Sequence, residues 1–532
     1  MRDAGSVAVG LARWRAMFVI AFALIFIVKL MLAATLSPFG DEAFYWQESR
    51  HLAWGYSDLP PLTAVLIRVG ETVAGHGLLG MRWPFLILGS LLPWLVRAFA
   101  REAFTDECAG WQAALFTLLL PLGSSLGVLA VPDVPLTIAI MLAMVALMRA
   151  MDRDGLRDWL LLGVALAMCW LSHYRAAMPM LLGLLVCVLT PRGRTLWRRP
   201  GLWLALCVAA LGLAPLLISN WQQRGAGVAF QLVERNPWRF HADALVQPLE
   251  QAVACTPLLY ALLLWAAWIS WRRRKDVRPW DVIAIVSCGF IVLYFVLGLF
   301  ADDVRFRAHW PLPGYLPLLA ALPVLLREQR WWSRGWLIAT FALAVAGQAG
   351  GLAYLGLAAS DNGARMLAGL KMFPARFVGW RESGDMARQL LAEHPGVLVA
   401  DNFMLAAEID FQLAGVVPVF VLDSPLNAKH GRAPQLALWQ RDETALRMQH
   451  GGQPMLLAVD EKALRVRERA DWLRSLCGRI DDALPLSRLD LFDGRRRMAF
   501  YSGAVPLLHA TATAPDDRCI VWQRAYAAES AH

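Results

Sequence analysis

Two adjacent carboxylates, Asp41 and Glu42, stand in Gly40-Asp41-Glu42-Ala43-Phe44-Tyr45-Trp46, directly after a long apolar segment. Charges at the edge of a bilayer are costly unless they face water or a functional cavity, so this acidic pair needs a task. Further polar residues recur where later apolar segments end: Tyr45, Tyr56, Asp58 and Arg82, then Asp133, then His173, Tyr174 and Arg175. After them come Arg235, Trp238, Arg239 and His241, and finally Arg305, Arg307 and His309. Carboxylates lie in the early loops and cations in the later ones. That division suits an anionic substrate carried in the membrane, whose phosphate meets Arg and His while a carboxylate takes a proton or holds sugar hydroxyls. Plainer readings stand beside this one. Arginines at a membrane edge also contact lipid headgroups, Asp133 between two prolines also suits a helix N-cap, and His173-Tyr174-Arg175 and His309-Trp310-Pro311 also suit an interfacial belt.

The elements that must position these residues are membrane helices. Of 532 residues, 58% are hydrophobic and 17% charged, and the mean hydropathy is +0.46. Soluble domains carry about a quarter charged residues. Apolar runs near the length demanded by a hydrocarbon core of roughly 30 Å predict about eleven spans. They lie near residues 17–36, 80–100, 111–129, 133–150, 157–172, 176–190, 201–220, 248–270, 280–299, 310–327 and 334–358. Pro84, Pro93, Pro121, Pro179, Pro215, Pro257 and Pro317 fall in or near them, as membrane helices permit.

Alternate loops are rich in arginine: Arg97 and Arg101; Arg149, Arg153 and Arg157; Arg192, Arg194, Arg198 and Arg199; Arg272, Arg273, Arg274 and Arg278; Arg327, Arg330 and Arg334. The positive-inside rule assigns these, with the N-terminus, to the cytoplasm. The acidic pair and the region past residue 358 then face outward. The net charge of +9 is largely this loop bias, and argues against a nucleic-acid partner. The first apolar segment lacks a small-residue cleavage pattern and reads as a span.

Past residue 358 the character changes. Short apolar runs at Val397-Leu398-Val399-Ala400, at 417–421, 455–459, 498–502 and 519–523 alternate with helical patterns at 385–394, 402–413 and 461–476. Alternating strand and helix predict an α/β domain over 359–532, set on a membrane domain of residues 1–358. No glycine-rich phosphate loop occurs in it. Most of the eight cysteines sit in or beside spans; Cys477 and Cys519 are the two in the outer region, where an oxidising compartment permits a disulfide. No CxxC or HExxH motif supports a structural zinc.

In this order, the motifs carry a resemblance. Gly40-Asp41-Glu42-Ala43-Phe44-Tyr45-Trp46 and Tyr56-Ser57-Asp58-Leu59-Pro60-Pro61-Leu62 resemble the first-loop signature of bacterial GT-C glycosyltransferases of the protein O-mannosyltransferase and lipid A aminoarabinose transferase-like family. Arg82-Trp83-Pro84, Pro132-Asp133-Val134-Pro135-Leu136, Leu171-Ser172-His173-Tyr174-Arg175, the stretch from Phe230 to Trp238, and His309-Trp310-Pro311-Leu312-Pro313 continue it. The resemblance implies an α-helical polytopic membrane protein of GT-C type with a C-terminal periplasmic α/β domain, in the bacterial inner membrane. It implies inverting transfer from a polyprenyl-phosphate-linked sugar donor to a lipid, glycan or protein acceptor on the periplasmic face. Interfacial helices are expected near 38–60 and 222–245.

On the family's pattern Asp41 is the catalytic base. Glu42, Tyr45, Tyr56, Asp58, Arg82, Asp133, His173, Tyr174, Arg175, Arg235, His241, Arg305, Arg307 and His309 are the expected substrate-binding residues. The pattern departs at Leu59, where relatives carry Lys or His before Pro-Pro. The donor phosphate is therefore expected at Arg305, Arg307 and His309, with Arg82 and Arg175 in reserve. The sequence assigns no cofactor; the analogy admits a divalent metal bridging Asp58 and a histidine. The alternatives are a polyprenyl-lipid flippase or transport protein, a non-catalytic lipid-binding protein, and an oligosaccharide ligase or polymerase.

Overall fold

The computed structural model describes residues 2–234, 238–275, 278–300, 309–328, 332–508 and 521. Every expected apolar segment is helical, but not every one is a full span. Among the described residues, six helices are long and apolar enough to cross a membrane: Val9–Thr35, Leu78–Phe104, Asp133–Arg153, Pro200–Gln222, Trp280–Phe300 and Arg334–Ala358. The segment expected over 248–270 is broken, because Ala242–Cys255 and Pro257–Arg272 meet at 113°. Thr256 sits at φ 68° and Pro257 opens the second helix, the position where its missing N–H costs nothing. The segment over 111–129 likewise ends at Leu119, and Pro121 starts a single further turn. Leu156–Ser172 and Leu312–Glu328 are 17-residue helices, about 26 Å at 1.5 Å per residue.

The arginine-rich loops meet at one end of the bundle, tied by ion pairs across sequence. Arg149 and Arg153 hold Glu102, Arg192 and Arg278 hold Asp152, and Arg327 reaches Asp106 at 2.6 Å. Inside the first span, Lys29 donates to the Leu126 carbonyl at 2.6 Å and to Ser90 Oγ at 3.3 Å. It lies toward the other end of its helix and is satisfied there.

At that other end sits a five-stranded sheet: β1 (Val397–Ala400), β2 (Val419–Val421), β3 (Pro454–Asp460), β4 (Asp481–Leu491) and β5 (Arg496–Ala504), in the order β2-β1-β3-β5-β4. β1 is parallel to β2 and β3, while β5 is antiparallel to β3 and β4. The helix Phe403–Gln412 makes the crossover from β1 to β2, as a parallel pair requires. The apolar runs expected as strands at 397–400, 417–421, 455–459 and 498–502 are β1, β2, β3 and β5. β4 was not expected: it is an edge strand carrying Pro485 and irregular pairing, a combination tolerated only at an edge. The 519–523 run lies outside the described residues except Val521. Cys477 is disulfide-bonded, whereas Cys519 falls outside the described residues.

Helix Gly40–Arg50 joins the two parts. Ala43 and Phe44 enter the core around the sheet, while Tyr45 and Trp46 enter the core of the bundle. The expected interfacial helix near 38–60 is therefore a wedge buried on both sides, because an aromatic run around the helix leaves no face for lipid. A Cβ on Gly40 would fall 2.4 Å from Met404, so the wedge needs glycine at that crossing. The second expected interfacial helix, near 222–245, is instead a series of short turns at Ala226–Ala229, Phe230–Glu234 and Ala242–Val246.

Candidate active site

Where wedge, bundle and sheet meet lies a cavity of about 350 Å³. Its polar lining includes Asp41, Asp58, Asp133, His173, Arg175, His309, Lys429, His430 and Arg432, and Leu122, Leu126, Leu129 and Leu355 form part of an apolar wall.

Two charged groups face each other across it. On the bundle side, Asp133 pairs with Arg175, and His309 Nε2 stands 3.2 Å from Asp133 Oδ1. His173 Nδ1 accepts from the Arg175 backbone N–H at 3.0 Å, and the Arg175 guanidinium lies 5.1 Å from the Trp310 ring centre. Pro132, not Asp133, occupies the N-cap of that helix, and the Asp133 carboxylate serves the cluster.

On the sheet side, Arg432 is the hub. Its Nη1 is 2.5 Å from Asp58 Oδ2 and 3.5 Å from Glu48 Oε1, and its Nη2 is 3.2 Å from Asp41 Oδ1. The guanidinium also lies against Phe44, Tyr45 and Phe403, at 4.4, 5.2 and 5.5 Å from the ring centres. Asp41, Tyr45 and Glu48 follow the i, i+4, i+7 spacing of one helix face, which is why one arginine reaches the face. His430 Nδ1 lies 3.7 Å from Asp41 Oδ1.

Three carboxylates around one guanidinium leave two acids in excess. Burial, then the charge of Asp58, holds the Glu48 carboxyl well above the usual range, with Arg432 opposing. Burial likewise raises Asp58, against the pull of Arg432. For Arg432, burial works against the cation, and Asp58, Tyr45, Asp41 and Glu48 more than offset it. This set does not fit a divalent metal. Asp58 is already occupied by a guanidinium, and among the described residues no three His, Cys, Asp or Glu side chains are placed to hold an ion.

The remaining expected residues lie elsewhere. Glu42 is fully buried beside the cavity: Oε1 accepts from Arg82 Nε at 2.7 Å and from the Ala130 N–H at 2.7 Å, and Oε2 accepts from Arg82 Nη2 at 2.6 Å. Arg82 also donates to the carbonyls of Ala33, Leu36 and Ser37. Through these contacts the pair fastens the end of the first span and the Ala130 loop to the wedge. Tyr56 Oη donates to the Glu48 carbonyl at 2.9 Å, and Tyr174 Oη accepts from Asn220 at 3.1 Å; neither lines the cavity. His241 is also outside it, and its backbone N–H donates to Leu299 O. Arg235, Arg305 and Arg307 lie outside the described residues.

Four residues of the cavity and its charge cluster escaped the sequence reading: Glu48, Lys429, His430 and Arg432. Glu48 was findable, seven residues after Asp41. The other three form a basic run, Lys429-His430-Gly431-Arg432, whose meaning depends on how the sheet docks.

Comparison with known proteins agrees with this architecture. Residues 58–219 match the family model for dolichyl-phosphate-mannose-protein mannosyltransferase. A lipid A galacturonosyltransferase from Rhizobium johnstonii is 26% identical over 308 residues, 56% of this chain; the match spans 63% of that relative. The crystal structure of ArnT from Cupriavidus metallidurans bound to undecaprenyl phosphate superposes with TM-score 0.65 at 18% identity, covering 95% of this chain and 99% of that one. Its apo form gives 0.64, also at 18% identity, covering 92% and 98%. The chain thus shares the fold of ArnT over nearly its whole length, and residues 58–219 carry the mannosyltransferase family match. It is a multi-pass membrane protein, with the cavity at the seam between its bundle and its sheet.

Proposed function

We propose that this protein is an inverting glycosyltransferase, moving a sugar from a polyprenyl-phosphate donor to a lipid acceptor of the cell envelope. The observation that carries the reading is the placement of Asp41. Its carboxylate lines the cavity, steered by Arg432 and His430, and the apolar wall of Leu122, Leu126, Leu129 and Leu355 belongs to the same space. A polyprenyl chain fits such a wall, and its phosphate fits the polar end. ArnT from Cupriavidus metallidurans is described with undecaprenyl phosphate bound, and the Rhizobium relative acts on lipid A. Both support a lipid-linked donor and a lipid acceptor.

In this reading Asp41 takes the proton of the acceptor hydroxyl. The acceptor oxygen bonds to the anomeric carbon as the bond from that carbon to the phosphate oxygen breaks, inverting the centre. The polyprenyl phosphate leaves with the electron pair. A positioned carboxylate base contributes roughly 10²–10⁴-fold, and cations near the phosphate oxygen stabilise the charge that develops there. Asp133, Arg175 and His309 hold the far side of the donor, and Arg432 is a positioning residue that aims Asp41. The arginine-rich end faces the cytoplasm and the sheet faces the periplasm. Mass spectrometry of envelope lipids with and without the gene tests the reading. A lipid that loses one sugar residue on deletion and regains it on complementation supports it; identical lipid profiles refute it.

A further inference from the structure

We propose that Lys429, from the sheet domain, is the cation that binds the donor phosphate; the inference rests on the polyprenyl-phosphate reading above. Three carboxylates and three permanent cations line the cavity: Asp41, Asp58 and Asp133, against Arg175, Lys429 and Arg432. Two of the cations are committed. Arg432 serves Asp41 and Asp58 as well as Glu48 behind them, and Arg175 serves Asp133. Lys429 alone among the lining cations makes no ion pair with a described residue. A phosphate entering this space needs a charge that no carboxylate has already taken. Without Lys429 the permanent charges of the lining would be two cations against three carboxylates, a balance unfavourable to an anion.

The lysine is held for the task. It ends the short helix Pro425–Lys429, where Asn427 Nδ2 donates to Leu422 O at 2.8 Å and Asn427 Oδ1 accepts from the Phe403 N–H at 3.0 Å. Just past it, Gly431 takes φ 70°, and a Cβ there would fall 2.7 Å from the Phe230 ring. Ser57 Oγ donates to the Gly431 carbonyl at 2.6 Å, and the Ser57 N–H donates to Gln435 at 3.0 Å. The turn carrying Lys429 is thus pinned to the first loop. Leu59, in that loop, lines the same cavity.

Binding of undecaprenyl phosphate to the full-length protein in lipid nanodiscs, with undecaprenol as the uncharged control, tests the assignment. Wild type should prefer the phosphate to the alcohol. Lys429→Ala should weaken phosphate binding at least ~10-fold, as loss of a charged hydrogen bond does, and leave undecaprenol unchanged. Lys429→Arg should restore the preference, and Leu59→Lys added to Lys429→Ala should recover part of it by returning a charge to the same cavity from the first loop. Phosphate binding by Lys429→Ala equal to wild type overturns the proposal, as does a loss that neither Lys429→Arg nor Leu59→Lys repairs. No preference in wild type would instead bring down the donor reading itself.

Discussion

Asp41 and Glu42 are neighbours on one helix and end in two clusters built on opposite terms. A step of one residue turns a helix by about 100°, so the two side chains leave in different directions. Glu42 meets Arg82, one acid with one base, and their other hydrogen bonds go to nearby backbone. Asp41 enters a group of three acids and one arginine that opens onto the cavity. The balanced pair has nothing left to offer a substrate. The unbalanced group keeps a carboxylate in reach of one and a proton to spare. Burial alone does not distinguish a fastening from a functional site; the ratio of acids to bases and access to open space do.

Asp41→Asn applies the sharpest pressure to that contrast. Sugar transfer should fall roughly 10²–10⁴-fold, measured with purified enzyme, while yield and melting temperature hold. Full turnover by the variant would remove the functional half of the comparison. On the other side, Arg82→Ala leaves Glu42 buried without its cation and should cost about 3–5 kcal/mol of stability, seen as lost folded protein in size-exclusion profiles. Replacing both residues with Leu should recover much of that loss, since a well-packed apolar pair often equals a buried ion pair. A stable but inactive Arg82→Ala would merge the two clusters into one.

The mildest probe is Glu48→Gln, read as melting temperature against pH. Glu48 has its folded-state value raised by burial and by Asp58, so the folded protein favours its protonated form. Its contribution is complete below the ordinary glutamate range and fades as pH climbs through the raised value. The variant cannot ionise there. It should match wild type in acid and melt higher on the alkaline side, and parallel curves would show that the excess proton is not on this pair.

Much of the molecule was visible in one dimension because the membrane imposes rules that act locally. Span length, arginine-rich loops and the alternation of strand and helix past residue 358 each depend on residues close in sequence. The bundle-side cluster of Asp133, His173, Arg175 and His309 was legible for the same reason: all four sit where apolar segments end on one side. The breaks after Leu119 and at Thr256 were less visible, since hydropathy averages over a turn. Arg432 was out of reach. It stands 391 residues from Asp41, and only the docking of one core on another brings them together. The pairing of Glu42 with Arg82 was out of reach in the same way, the partner being 40 residues away on another helix.

The reach of Arg432 into the first loop has a consequence for how such proteins diversify. Asp41, Glu48 and Asp58 belong to the wedge and first loop and Arg432 to the sheet domain, so a change in one stretch must be matched in the other. A hybrid that joins the bundle of one family member to the sheet of another inherits a guanidinium without its acids, or acids without their guanidinium. Recombination should therefore succeed only between parents that agree at all four positions, and new specificities should arise by point changes around the cavity sooner than by swapping halves.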